Sequence, residues 1–120
     1  MKYLLTVYGN QEKWASFGKE AWKEVVAKQD AYNQKYRSTG ELLAAYGLGL
    51  ETSAKVIRNP NGQPVVSDGP YLEAKEYLAS FYLLEVDSEQ RAQEIAADMP
   101  WAEHDAVEMR LIEHEAPTGW

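Results

Sequence analysis

Tyr3, Leu5 and Val7 alternate with Leu4, Thr6 and Tyr8, and both sets are largely apolar. The pattern predicts a first strand covered on one face and half covered on the other, ended by Gly9-Asn10. A short turn around Trp14 follows, and Gly18 separates it from a helical stretch over about Lys19 to Ser38. There Ala21, Val25, Tyr32 and Tyr36 share one stripe, with Trp22 and Val26 flanking it. Thr39-Gly40 supplies a left-handed stop, and Glu41 to Tyr46 reads as a second strand. Two short segments, 54–58 and 63–67, flank Asn59-Pro60-Asn61-Gly62, whose Asn-Gly pair is a hairpin signal, so they form a small insertion at the sheet edge. Tyr77 to Val86 is the longest apolar run, and its aromatic content marks a central strand. Asp87-Ser88 caps a helix over Glu89 to Asp98 that turns Ala92, Ile95, Ala96 and Met99 to one face before Pro100. Val107, Met109 and Leu111 alternate with Glu108, Arg110 and Ile112 in a last strand.

The resulting order, βαββαβ with a hairpin insertion, predicts an α+β domain of ferredoxin-like type: a four-stranded antiparallel sheet carrying both helices on one face. The other face is left bare. Apolar residues on both sides of the 3–8 and 77–86 strands point to a second copy of the chain as its cover, giving a homodimer joined through the sheet face. A single domain is expected over residues 1–114, followed by a tail, 115–120, whose weak pattern predicts partial disorder.

Composition narrows the function classes. With 120 residues, 45% hydrophobic and 26% charged, the chain has the make-up of an ordinary soluble domain. It has no cysteine, which removes disulfides, thiolate nucleophiles and sulfur-based zinc sites, and fits a reducing, cytoplasmic setting. The formal charge of −7, with no basic run to offset it, argues against direct nucleic-acid binding. The apolar start at Met1 is too short for a membrane span and lacks a signal-peptide cleavage site. His104 and His114, the only histidines, show no metal-ligand spacing, and no phosphate loop, nucleophile elbow or dinucleotide fingerprint is present. Neither metal nor cofactor is therefore expected.

The most distinctive stretch is Asp68-Gly69-Pro70-Tyr71-Leu72-Glu73-Ala74-Lys75-Glu76. Asp-Gly-Pro joins a residue that caps its own turn, one that accepts positive φ and one with φ fixed, so a rigid turn is expected. Here the chain resembles the YCII-related superfamily, in particular the branch named for the motif Asp-Gly-Pro-Phe-Ala-Glu-Thr-Lys-Glu. The likeness extends over the domain, from the Met-Lys-Tyr-Leu-Leu opening to Phe81-Tyr82, Pro100 and Val107-Glu108-Met109-Arg110. The resemblance implies a ferredoxin-like subunit of a dimeric α/β barrel. Relatives in such barrels include isomerases and monooxygenases acting on small organic molecules, and some members of the branch accompany extracytoplasmic-function sigma factors. Tyr71 stands for Phe, Ala74 for Thr and Ala79-Ser80 for a Gly-Gly pair, while Gln29 occupies a first-helix position where relatives often carry His.

Two readings of the polar residues follow. Asp68, Glu73, Lys75 and Glu76 line a cleft mouth, with Asp68 as acid/base and Lys75 or Arg58 as its electrostatic partner, or else they shape the loop through an Asx-turn and local ion pairs. Tyr8, Gln29, Tyr32, Tyr46, Tyr71 and Tyr82 line an apolar pocket between sheet and first helix, or else the tyrosines are half-buried core residues. Trp14 and Trp22 read as packing residues, and His104 as exposed. The functional reading is a homodimer that binds a small organic molecule near Asp68–Tyr71. The alternatives are a cofactor-free isomerase, lyase or hydrolase that uses Asp68, and an accessory protein in sigma-factor regulation.

Overall fold

The computed structural model describes residues 1–117; positions 118–120 of the expected tail lie outside the described residues. Strands β1 (Lys2–Gly9), β2 (Leu42–Gly47), β5 (Tyr77–Glu85) and β6 (Ala106–Leu111) form one antiparallel sheet in the order β2-β5-β1-β6. Strands β3 (Lys55–Arg58) and β4 (Val65–Asp68) pair only with each other. Three helices complete the α+β fold: a short α1 (Gln11–Ala15), the long α2 (Lys19–Ser38) and α3 (Glu89–Ala97). No helix among the described residues is long and apolar enough to cross a membrane.

The helix ends follow local chemistry. Asn10 accepts from the backbone N–H groups of Glu12 and Lys13 and so starts α1, where only a turn was expected from the sequence. Gly18 enters α2 at φ +78°, and Gly40 leaves it at φ +82° with its N–H on the Arg37 carbonyl. Ser88 caps α3 by accepting from Arg91 N–H. The bidentate pair of Arg91 with Glu41, at 2.8 and 2.9 Å, ties the start of α3 to the entry of β2.

The core lies between the sheet and α2/α3. Tyr3, Leu5 and Val7 of β1 and Tyr82 and Leu84 of β5 meet Tyr32 and Tyr36 of α2 and Ala92 and Ile95 of α3. The Tyr32 hydroxyl donates to the Ile95 carbonyl at 2.8 Å, and burial pushes its phenol far up. Tyr36 donates to Asp98, which also pairs with Lys35.

Two local expectations change. The β3–β4 connection spans residues 59–64 and holds a 3-10 turn, with Asn61 and Gly62 both at positive φ, so it is longer than the expected connection over 59–62. Gly69 is not in the left-handed region. Its lack of a side chain serves close approach, because a Cβ there would lie 3.2 Å from Ala54 Cβ and 3.3 Å from both Ala54 O and Val56 Cγ2.

On α2 the burial is uneven. Gln29, Tyr32 and Tyr36 are buried, whereas Ala21 and Trp22 are exposed and Val25 is only half-buried. The helix seats on the sheet through its C-terminal half, and its N-terminal half overhangs.

Candidate functional site

Beneath that overhang is a cavity of about 780 Å³, within the range of about 300–1,000 Å³ typical of small-molecule sites. One wall is the inward stripe of α2, Trp22, Val26, Gln29 and Asn33, whose spacing places them in line along the helix. Val7, Ser80 and Tyr82 come from the sheet, and the segment from Gly47 to Glu51 borders the far side.

Trp14, Trp22 and Trp101 form a closed triangle at one end, with centroids 5.6–6.4 Å apart and planes tilted by 49–51°. At those separations the rings touch one another, so they make a continuous aromatic wall instead of a cage with room inside. Trp14 is fixed from behind, because its indole N–H donates to Asp105 at 2.9 Å and that carboxylate is 3% exposed and further neutralised by Lys13 at 3.6 Å. Lys13 also donates to the His104 carbonyl. Gly9 makes room for the ring.

The polar feature of the cavity is Gln29. It is 7% exposed, its Nε2 donates to Asn33 Oδ1 at 2.9 Å, and its Oε1 is buried with no partner. A buried acceptor without a partner costs free energy, and this oxygen is packed away from the open space of the cavity. Tyr82 contributes a phenol that burial pushes up, against smaller downward pulls from Ser80 and Trp101, so it stays neutral at physiological pH. Lys19, Asp30 and Glu51 also border the cavity, the first two exposed at its mouth.

The residues singled out from sequence are dispersed. Gln29 is in the cavity wall. Tyr46 borders the cavity, but the β2–β5 register pairs it with Phe81, and the two rings pack 5.3 Å apart on the sheet face away from the helices. Tyr8, one residue out of phase with Val7, faces that same side. Arg58 and Tyr71 meet each other at 5.2 Å on the projecting hairpin. Asp68 is there too, 84% exposed at its side chain and paired with Lys55 across the β3–β4 ladder. Glu73 and Lys75 are exposed, and the Lys75 carbonyl accepts from Asn10. Among the described residues neither the Asx-turn at Asp68 nor a Lys75 pair with Glu73 or Glu76 forms. Asn33, Trp101 and the lining role of Trp14 and Trp22 went unread in the sequence, although Trp22, Val26, Gln29 and Asn33 are visible there as a helical stripe.

Three similarities bear on this site. The chain is 31% identical over 99 residues to an uncharacterised protein of Rhizobium meliloti (strain 1021), covering 82% of this chain and 80% of that relative. In three dimensions it resembles 5-chloro-2-hydroxyhydroquinone dehydrochlorinase from Burkholderia phenoliruptrix AC1100, solved as a complex with 2,5-dihydroxybenzoquinone. The TM-score is 0.57 with 96% of each chain covered, and at 13% identity this likeness concerns the fold. The YCII-related domain matches residues 1–115, so the chain belongs to the YCII-related family.

Proposed function

We propose that the protein binds a small, largely apolar ring compound in the cavity between α2 and the sheet. The observation that carries this reading is the mainly apolar lining of that cavity, with Trp14, Trp22 and Trp101 beside Val7, Val26 and Leu50. Membership of the YCII-related family and a fold shared with an enzyme solved with a dihydroxybenzoquinone support a ligand of this size and flatness. Three tryptophans border the site, so titration with a panel of monocyclic and bicyclic aromatics should change indole fluorescence saturably, and Trp22→Leu should remove most of the change. A panel that produces neither saturable fluorescence change nor calorimetric heat defeats the reading.

The subunit is a ferredoxin-like unit of the Asp-Gly-Pro branch, built to pair as a dimeric barrel. Leu4, Tyr8, Phe81 and Leu83 are partly exposed on the bare sheet face, with Tyr46 at its edge, which supports a second copy as the cover. The projecting hairpin fits the same picture. The radius of gyration is 16.7 Å, against about 14 Å for a compact chain of this length. Ile57, Val66, Tyr71 and Leu72 on or beside the arm are each more than 60% exposed.

A catalytic reading is favoured by the fold shared with a dehydrochlorinase. It assigns proton transfer to Asp68, which is outside its own chain's cavity and reaches a bound molecule only if the arm of one subunit closes on another. Turnover of a hydroxyquinone that survives Asp68→Asn unchanged removes Asp68 from the mechanism.

A further inference from the structure

We infer that the ligand is a neutral ring ketone, whose carbonyl oxygen accepts from the Tyr82 hydroxyl at the sheet wall of the cavity. The inference rests on the binding reading above and names its ligand class.

Ser80, Tyr82 and Trp101 all border the cavity. Ser80 and Tyr82 are two residues apart on β5 and pair with Val7 and Leu5, both buried in the core, so their side chains share the helix side of the sheet. Trp101 packs against the core cluster to which Tyr82 belongs. The Ser80 hydroxyl and the Trp101 indole N–H are donors beside the phenol oxygen, and both favour charge on it, although burial outweighs them and keeps the phenol protonated. With its oxygen approached by two donors, the phenol has its own O–H left to give.

That O–H is reachable. Gln29 Oε1 is the one buried side-chain nitrogen or oxygen without a partner among the described residues. The Tyr82 hydroxyl completes no hydrogen bond of regular geometry with those residues, so it escapes the same condition only by keeping some surface open, and the open space that Tyr82 borders is the cavity. A carbonyl there takes the free proton of the phenol. A ligand N–H meets an oxygen already approached by donors.

Charge and shape restrict the ligand further. Ser80, Tyr82 and Trp101 are neutral, and Lys19, the cation bordering the cavity, is exposed at its mouth, so a carboxylate at Tyr82 would be buried without a counter-charge. Trp101 also packs against Trp22 and Trp14, so a ring whose oxygen meets Tyr82 has the aromatic wall beside it.

The test uses 1-indanone, a flat bicyclic ketone, with indane, which lacks the oxygen, and indoline, whose ring N–H donates. Binding to the intact protein is followed by calorimetry and indole fluorescence. Indanone should bind roughly ten-fold more tightly than indane, because indane covers the Tyr82 hydroxyl without giving it a partner, and indoline should gain nothing over indane. In Tyr82→Phe, which keeps the ring and removes the hydroxyl, indanone should lose most of that advantage while indane binds as well as before or better. Equal affinity for indanone and indane on the unmodified protein, or a preference for indoline over indanone, overturns the ligand class and leaves the binding site standing. An indanone advantage that survives intact in Tyr82→Phe removes Tyr82 as the donor. Failure of all three probes to bind overturns the site itself. The comparison on the unmodified protein needs no variant, so a poorly folded Tyr82→Phe does not shield the inference.

Discussion

Gly9→Ala probes the wall of the cavity without touching a polar group. A Cβ at position 9 would lie 1.9 Å from Trp14 Cζ2, 2.6 Å from Cε2 and 2.8 Å from Cη2, all in a rigid ring. The ring has two ways out. If it stays, the structure carries an overpacking strain of about 1–3 kcal/mol, at the upper end because the overlap is with the indole face. If it leaves, the indole N–H bond to the buried Asp105 carboxylate is lost, at about 1.5–3 kcal/mol. The contacts with Trp22 and Trp101 go with it, at about 0.5–1.5 kcal/mol each. The cheaper route sets the cost, so the expected loss is about 2–3 kcal/mol. For a chain of this length that corresponds to a Tm lower by about 8–12 °C. Thermal melting measures the loss, and near-ultraviolet circular dichroism reports whether the tryptophan cluster has come apart. The control gives the reasoning its edge. In a Trp14→Ala background the clash is gone, and alanine is favoured over glycine within a strand by about 0.5–1 kcal/mol, so the same substitution should become neutral or stabilising. If Gly9→Ala destabilises both backgrounds equally, Gly9 is not there to seat Trp14.

Ile95→Ala removes a side chain with no solvent exposure from the contact between α3 and the sheet, and should cost about 2–5 kcal/mol in denaturant unfolding, with a loss under 1 kcal/mol refuting its central place in the core. Arg91 holds the Glu41 carboxyl below its ordinary value, and the Tyr36 hydroxyl and Lys35 do the same for Asp98. Depressed carboxyls stabilise the fold above their unfolded pKa of about 4 and lose that contribution as pH falls through the lower folded value. The melting temperature should therefore drop below about pH 4, less steeply in Glu41→Gln/Asp98→Asn. Solvent screening keeps the difference modest, and superimposable acid profiles would show that these pairs are not the titrating groups. Light scattering in dilute solution should give twice the monomer mass, and Phe81→Lys, on the bare sheet face, should shift it toward the monomer; a monomer in the unmodified protein removes the sheet-face dimer.

The strands and long helix were legible because each carries a local signal: a period of two in β1, a long aromatic run in β5 and a period of about 3.6 in α2, with a helix stop at Gly40 and a helix start at Ser88 whose cap geometry matches their residue type. The site was less legible, for a reason visible in α2. Val25, Tyr32 and Tyr36 and the neighbouring set Trp22, Val26 and Asn33 both include Gln29 in their spacing, and period alone does not tell which set rests on a sheet and which faces a gap. The distinction depends on how far the sheet reaches beneath the helix, which is a property of strand pairing at long range. The Asp68–Glu76 stretch lies outside the cavity. Its dense charge and rigid backbone suggest chemistry, yet Lys55 pairs with Asp68, the Arg58 guanidinium packs over Tyr71, and Glu73 and Lys75 are exposed. At Gln29 the reverse holds: a neutral amide, inconspicuous in sequence, becomes the one buried side-chain acceptor without a partner among the described residues. An unsatisfied buried polar group is marked by what its surroundings fail to supply, and that becomes visible only once the surroundings are in place.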